Sequence, residues 1–172
     1  LPAEVQLQTG GGIRTRDDVK ALLDAGVTAV VVGSQAVKAP DVVRQWFTEF
    51  SPERIVLALD VRVSDSGSAR VATAGWQETS GALIDDVVKT YLPCGLKHVL
   101  CTDIARDGMM TGPSVDLYAR LAKAFPQVAW QASGGIASLA DVRAAENAGA
   151  AGVIVGRALL ENRFTVKEAL SC

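Results

Sequence analysis

The chain has 172 residues, with 17 Lys and Arg against 19 Asp and Glu, which gives a net charge of −2. This length is enough to bury the core of one domain, and the near-neutral charge gives no electrostatic reason to expect a nucleic acid as partner. No apolar run approaches the ~20 residues of a membrane-spanning helix, and three cysteines without a CxxC spacing argue against a zinc site and for a reducing cytoplasm.

Strands and helices are predicted to alternate along the chain. Apolar runs predict strands at 5–9, 29–32, 55–59, 98–101, 128–132 and 152–155. Apolar residues at three- and four-residue steps predict helices at 17–25, 40–50, 84–91, 114–125 and 139–147, with a short one at 165–170. Runs such as IVLAL are apolar at consecutive positions, as expected when both faces of a parallel sheet are covered. The alternation therefore predicts an α/β fold.

An internal repeat refines this prediction. The sequence from Gly11, GGIRTRDDVKALLDAGVTAVVVG, aligns without a gap with GGIASLADVRAAENAGAAGVIVG from Gly134, at an offset of 134 − 11 = 123 residues. Since a βα unit takes about 30 residues, this offset is roughly four units, or half of a (βα)8 TIM barrel. We therefore predict that residues 1–172 form one domain, the C-terminal three-quarters of such a barrel, covering approximately strands 3 to 8. A complete open sheet of six strands is the alternative.

Each copy of the repeat contains glycines where a strand gives way to a helix, in QTGGGIRT and in QASGGIAS. Glycine lets the backbone approach a ligand closely, and amides at the start of a helix favour an anion. The next strand of each copy also ends in glycine, and paired loops of this kind commonly hold phosphate in barrels. Two such pairs predict a substrate with a phosphate at each end, although tight turns alone are the structural alternative. The predicted binding residues are Gly11, Gly12, Gly33, Ser34, Gly134, Gly135 and Gly156, with Arg14 and Arg157 either adding charge or simply solvated.

Asp60 and Asp107 are the candidate catalytic carboxylates. Asp60 ends the run IVLALD at the C-terminal end of its strand, where catalytic groups of barrels lie. Asp107 follows the next predicted parallel strand, in a glycine-flanked loop that begins at Thr102, because Thr102 and Asp103 do not continue a buried apolar run. Together with Thr102, the two carboxylates form a candidate acid–base set. Asp103 competes for either role, and a capping or turn-forming function is the structural alternative.

A long segment, VRVSDSGSARVATAGWQETSG, separates Asp60 from the next helix. Residues 61–63 and 69–73 are predicted to pair as a hairpin. Long loops inside compact folds are usually functional, and Trp76 is predicted either to stack on a planar ring of the ligand or to cover the site. With a single histidine in the chain, a Ser-His-Asp triad or a histidine-based metal site has little support.

These motifs resemble those of one known family. QTGGGIRT, VVVGSQAV, LALDVR, GWQETSG, HVLCTDIARDG, QASGGI and VIVGRALLENRFT, in this order, closely resemble the phosphoribosylformimino-5-aminoimidazole carboxamide ribotide isomerases of histidine biosynthesis. The resemblance runs from Gln6 onward, starting at the third barrel strand. It implies an Amadori rearrangement of a bisphosphorylated aminoaldose (ProFAR) to the aminoketose (PRFAR), without metal or redox cofactor.

The resemblance also implies roles for individual residues. Asp107 resembles the general acid of the RDG loop, Asp60 a strand-end carboxylate needed for activity, and Thr102 a supporting hydroxyl. Trp76 resembles the residue that stacks on the substrate, and Gly108 is expected at the substrate beside the acid. The family's general base is an aspartate at the end of the first strand, so we expect the 172-residue chain alone to lack half of the acid–base pair. Met109 stands where the family usually has threonine.

Three other functions stay open at this stage. One is a dual-substrate isomerase that also acts on phosphoribosyl anthranilate. Another is the sister cyclase subunit of imidazole glycerol phosphate synthase, which shares the half-barrel repeat but not the wording TDIARDG. The third is a catalytically silent phosphate-binding fragment. We expect the protein to be a monomer.

Overall fold

In a computed structural model of the chain, the structure describes residues 5–73 and 78–172. The strands are β1 (Gln8–Gly10), β2 (Ala29–Val32), β3 (Ile55–Val63), β4 (Ala69–Thr73), β5 (Glu78–Leu83), β6 (His98–Asp103), β7 (Ala129–Ser133) and β8 (Gly152–Ile154). The helices are α1 (Arg16–Asp24), α2 (Gln35–Lys38), α3 (Pro40–Phe50), α4 (Ile84–Tyr91), α5 (Val115–Ala124), α6 (Leu139–Asn147), α7 (Arg157–Leu160) and α8 (Val166–Ala169). The predicted alternation of strands and helices is confirmed.

The main sheet is parallel, with the strand order β1-β2-β3-β6-β7-β8. The second half of β3 pairs with β4 in an antiparallel hairpin, as predicted, and β5 adds to β4. Within the described ranges, β1 and β8 each pair on one side only. The α/β class with a parallel sheet is therefore confirmed.

A pair of glutamines shows that the sheet is curled. In a flat sheet, β1 and β7 are four strand spacings apart, or about 19 Å. The side-chain amides of Gln8 and Gln131 nevertheless exchange two hydrogen bonds, of 2.8 and 2.9 Å. The two strands must therefore face each other across the concave side of the sheet. The two glutamines are 131 − 8 = 123 residues apart, which is the offset of the sequence repeat.

The hydrophobic core lies on the convex side, between the sheet and the helices. Strand residues alternate between the two sides: Leu57 and Leu59 are fully buried, whereas Ala58 and Asp60 on the concave side are partly exposed. The concave side therefore carries the accessible polar groups. No helix among the described residues has the length and apolar character needed to cross a bilayer.

The two copies of the repeat also fold alike at their helix starts. Thr15 caps α1 and Ser138 caps α6, each in a capping box with the aspartate three residues later. Asp18 accepts a hydrogen bond from the Thr15 amide at 2.8 Å, and Asp141 accepts one from the Ser138 amide at 2.9 Å. The sequence repeat is therefore a structural duplication.

The end of β6 differs from the prediction. The strand predicted over 98–101 continues through Thr102 and Asp103, which are only 6% and 3% exposed. The Asp103 carboxylate tolerates this burial because it accepts hydrogen bonds from the Ala105 amide at 3.1 Å and from the Ser114 hydroxyl. A polar residue satisfied by a neighbour 11 positions away cannot be recognised from the local apolar pattern.

The first strand, β1, also begins later than predicted. The strand predicted over 5–9 starts at Gln8, and Val5 and Leu7 are 51% and 42% exposed. The Leu7 carbonyl still accepts a hydrogen bond of 2.8 Å from Thr28, so the chain enters the sheet at its edge. In contrast to the hairpin strand β4, the strand β5 was not predicted, because its sequence ETSGAL lacks a regular apolar alternation.

Candidate active site

A cavity of about 270 Å³ lies at the C-terminal ends of β6, β7 and β8. Among the described residues, its lining consists of Asp107, Gly108, Met110, Ser133, Gly134, Gly135, Ile136, Ile154, Gly156 and Arg157. The predicted site residues within this lining are Asp107, Gly108, Gly134, Gly135, Gly156 and Arg157. The second copy of the repeat and the loop after β6 thus meet in one place, which we call the Asp107 cavity.

The floor of the cavity is a glycine turn formed by Gly134 and Gly135. Their φ angles are +95° and +89°, a region that favours glycine. A Cβ atom on Gly134 would lie 2.7 Å from the Asp103 carbonyl oxygen, and one on Gly135 would lie 2.1 Å from the Gly112 carbonyl oxygen. The Gly112 amide also donates a hydrogen bond of 2.9 Å to the Gly135 carbonyl. Glycine is therefore required here by contact between two pieces of main chain, in addition to any contact with a ligand.

The amides at the start of α6 are not the free anion donors that the sequence suggests. The Asp141 carboxylate already accepts hydrogen bonds from Ala137 at 3.0 Å and Ser138 at 2.9 Å. It therefore occupies the position that an anion would take at this helix start. The amides of Gly135 and Ile136, just before the cap, make no hydrogen bond to another described residue. These amides, rather than those of the helix, are left for a ligand.

The first copy of the repeat has the same turn in a more open setting. Gly11 and Gly12 have φ angles of +100° and +71°, and a Cβ atom on either would meet no atom within 4 Å. The Asp18 carboxylate accepts hydrogen bonds from Arg14 at 2.9 Å and Thr15 at 2.8 Å, and these bonds hold its pKa below the ordinary value. The first turn thus repeats the backbone of the second without a loop packed against it.

The remaining predicted residues of the first copy follow β2. Gly33 is half-buried directly after β2, and Ser34 is exposed at the start of α2, where its side chain forms no capping hydrogen bond. The Arg14 side chain is exposed. None of these three residues is among the described lining of the Asp107 cavity. They follow β1 and β2, at the opposite edge of the strand order from β8.

The structure distinguishes the two aspartates that the sequence left as competitors. Asp103 is buried, bound to Ala105 and Ser114, and its carboxylate lies 3.6 Å from the Arg106 guanidinium. Asp107 is exposed and lines the cavity. The Asp103 carboxylate therefore stabilises the loop, and Asp107 is the carboxylate that a ligand in the cavity can reach.

The loop that carries Asp107, residues 104–114, is closed on itself at its base. Arg106 donates hydrogen bonds to the carbonyls of Thr111 at 3.3 Å and Gly112 at 3.0 Å. Its tip contains the left-handed residues Gly108, with φ of +70°, and Met110, with φ of +53°. A methionine in this region is strained. Met110 lines the cavity, whereas Met109, which replaces the family's usual threonine, is 62% exposed and is not part of the described lining.

Asp60 and Thr102 lie beside the cavity rather than in its described lining. Asp60 is paired in register with Thr102, and Thr102 with Ser133, on three adjacent parallel strands. Residues paired in this way point to the same side of the sheet. Because Ser133 lines the cavity, the row connects Asp60 and Thr102 to the cavity along the concave side. Trp76 lies outside the described residues.

A buried tyrosine on α5, Tyr118, stabilises the strands that carry Thr102 and Ser133. The Tyr118 hydroxyl accepts a hydrogen bond of 3.1 Å from the Ser133 amide and lies 3.0 Å from the Cys101 carbonyl and 2.9 Å from the Ser133 carbonyl, either of which can accept its proton. Burial raises the pKa of the phenol, so the hydroxyl stays protonated. Tyr118 therefore joins β6 to β7 immediately before the second glycine turn.

Tyr118→Phe is expected to lower the free energy of unfolding by about 1–3 kcal/mol, because the Ser133 amide and a buried carbonyl lose their partner. Tyr91→Phe is the matched control, since this equally buried hydroxyl donates a single bond, of 2.7 Å, to Ala36. Urea denaturation of both variants, followed by far-UV circular dichroism, measures the difference. A loss for Tyr118→Phe no larger than that for Tyr91→Phe would contradict the supporting role.

Several residues of the cavity were not found from the sequence. Ser133 ends a strand in register with Thr102, and this position was the signal that could have identified it. In the sequence, Ile136 and Ile154 resemble ordinary apolar core residues, and no pattern around Met110 indicates that it lines a cavity. These residues reach the cavity through the curl of the sheet and the path of the loop, which the linear pattern does not contain.

The chain is similar to known proteins over nearly its whole length. A family model described as "Histidine biosynthesis protein" matches residues 2–165. A 1-(5-phosphoribosyl)-5-((5-phosphoribosylamino)methylideneamino) imidazole-4-carboxamide isomerase of Citrobacter koseri is 60% identical over 168 residues, which are 98% of this chain and 69% of the relative. Isomerases of the same name from Cronobacter sakazakii and an Enterobacter species are 58% and 57% identical, with the same coverage.

Proposed function

Since this chain belongs to the histidine biosynthesis protein family, we propose that it forms the larger part of an isomerase. Its proposed substrate is the imidazole-4-carboxamide compound that the names of its relatives give. The observation that carries the proposal is the Asp107 cavity, where an accessible carboxylate faces a glycine turn that can receive a phosphate. At 60% identity over 98% of the chain, the relatives support the same reaction here. Their names favour the isomerase over the cyclase. Three unpaired cysteines support a cytoplasmic location.

In this proposal the chain supplies strands 3 to 8 of a (βα)8 barrel. The curl of the sheet, shown by the Gln8–Gln131 pair, and the unpaired sides of β1 and β8 leave room for further strands between the two edges. The chain matches 69% of each relative, close to the six-eighths that six of eight units represent. An eight-stranded ring would unite the two edges and enclose the concave side.

The proposed substrate carries two phosphoribosyl groups, as the relatives' name states. Two glycine turns related by the internal repeat offer one phosphate site each. The second turn, with its cavity of about 270 Å³, is of a size for one end of such a molecule rather than for all of it. We assign one phosphate to the Gly11–Gly12 turn with Gly33, Ser34 and Arg14, and the other to the Gly134–Gly135 turn with Gly156.

The proposed reaction is an Amadori rearrangement by general acid–base catalysis. Asp107 donates a proton to the ring oxygen of the aminoaldose, so that the C1–O bond breaks and an open-chain imine forms. A base then removes the proton from C2, and the resulting enolamine takes up a proton at C1 and loses one from its hydroxyl to give the aminoketose. No atom is gained or lost, because C1 is reduced as C2 is oxidised. Asp60 and Thr102, at the end of the row, are assigned to charge and orientation at the reacting carbons.

The test uses a full-length chimaera in which this chain replaces the matching 69% of the Citrobacter koseri isomerase. We expect it to convert the bisphosphorylated substrate at a rate within about tenfold of the relative's. A chimaera that shows a single cooperative unfolding transition but no turnover would contradict the proposal and favour a silent phosphate-binding fragment. Turnover of phosphoribosyl anthranilate in a parallel assay would instead assign a second substrate.

A further inference from the structure

A series of contacts made by charged side chains, which was not predicted from the sequence, spans the mouth of the Asp107 cavity. Arg157 donates through Nη1 to the Gly108 carbonyl at 2.8 Å and through Nε to Glu161 Oε1 at 2.6 Å. The other carboxylate oxygen of Glu161 accepts from Arg163 at 3.3 Å. The guanidinium is therefore fixed at both ends, by a carboxylate on its own side and by a carbonyl of the facing loop.

The tip of the facing loop has little else to hold it. The base of the loop is secured by Asp103 and Arg106, whereas residues 107–109 are exposed. The main chain of this segment is held locally by two hydrogen bonds, from the Asp107 amide to the Asp103 carbonyl at 3.1 Å and from the Met109 amide to the Arg106 carbonyl at 3.0 Å. Among the described residues, the bond from Arg157 to Gly108 is the one hydrogen bond that reaches residues 107–110 from beyond residues 103–114. Gly108 is the residue directly after Asp107, so this bond holds the main chain on one side of Asp107, and the bond to Asp103 holds it on the other.

Glu161 gives Arg157 its orientation. The Arg157 side chain is 54% exposed, and an arginine of this length has many rotamers when nothing restrains it. The hydrogen bond from Arg157 lowers the pKa of Glu161, and Arg163 adds to the effect, so the carboxylate is charged at neutral pH. A charge-assisted bond to Nε leaves the opposite edge of the guanidinium directed at the loop.

We propose that Glu161 is a positioning residue, which holds Arg157 on the Gly108 carbonyl and thereby fixes the loop that places Asp107 over the cavity. This inference rests on the proposed role of Asp107 as general acid. It differs from the simpler view of Arg157 as a phosphate ligand, because it assigns the guanidinium to the loop and gives a function to a residue outside the cavity lining.

The test compares Glu161→Gln with Arg163→Gln in the full-length chimaera. Arg163 touches the same carboxylate but not the loop, so it is the matched control. Glu161→Gln is expected to lower kcat about tenfold with KM changed less than twofold, because the loss of an orienting charge-assisted bond affects the placement of Asp107 and not the grip on phosphate. Arg163→Gln is expected to leave both constants unchanged.

Hydrogen exchange supplies a readout independent of activity. In Glu161→Gln, the amides of residues 107–110 are expected to exchange about tenfold faster, while the urea midpoint of the whole protein stays the same. Unchanged exchange in that segment, or an increase in KM at constant kcat, would overturn the inference. If the chimaera itself were inactive but the exchange response were present, the proposed function would fail and the contact from Glu161 to the loop would stand.

Discussion

Asp107→Asn in the full-length chimaera is expected to lower kcat by about 10²–10⁴-fold, the range that general acid catalysis contributes. Asparagine has nearly the same shape as aspartic acid but has no carboxylic proton to give to the ring oxygen. Affinity for the bisphosphorylated substrate is expected to stay within about threefold, because the phosphates are assigned to the glycine turns. Steady-state kinetics and isothermal titration calorimetry measure the two quantities separately.

Asp103→Asn is the control that tests the choice between the two neighbouring aspartates. Its carboxylate is buried and bound to Ala105 and Ser114. The substitution is therefore expected to lower the free energy of unfolding by about 1–3 kcal/mol, with a smaller loss of kcat than Asp107→Asn. A near-normal rate for Asp107→Asn, or a larger kinetic loss for Asp103→Asn, would show that the acid has been assigned to the wrong residue.

The sequence predicted those parts of the fold that depend on local patterns. The alternation of apolar runs with amphipathic segments located the parallel strands, and the apolar runs at 61–63 and 69–73 located the hairpin. The gap-free repeat predicted a duplicated half-barrel, and the φ angles of the two glycine turns and the caps of α1 and α6 agree with a duplication. Each of these features depends on a pattern of residues that are near neighbours along the chain.

The features that the sequence did not predict depend on contacts between distant residues. Asp103 and Asp107 look equivalent in the run TDIARDG, and only the position of Ser114 shows which of them is occupied. Glu161 looks like an ordinary partner of Arg157 four residues before it on a short helix. Its importance comes from the bond between Arg157 and Gly108, which lies 49 residues before Arg157 in the chain and reaches the same cavity through the curl of the sheet.

The second large effect is expected on stability, from a substitution in the second glycine turn. Gly135→Ala is expected to lower the free energy of unfolding by about 3 kcal/mol or more. About 1–2 kcal/mol comes from placing an L residue in the left-handed region, where φ is +89°. The remainder comes from a Cβ atom only 2.1 Å from the Gly112 carbonyl oxygen, which is main chain and cannot rotate away. The loop and the turn must then separate, which also opens the Asp107 cavity.

Gly12→Ala at the equivalent position of the first copy isolates the contribution of the contact. Its φ of +71° imposes the same kind of strain, but a Cβ atom would meet no atom within 4 Å. We expect a cost of only about 1–2 kcal/mol, measured by urea denaturation of the 172-residue chain beside Gly135→Ala. The sequence presents the two glycines as equivalent, so equal costs would mean that the contact with the Asp107 loop contributes nothing. A difference would show that the second glycine turn is held in place by the same loop that presents the carboxylate.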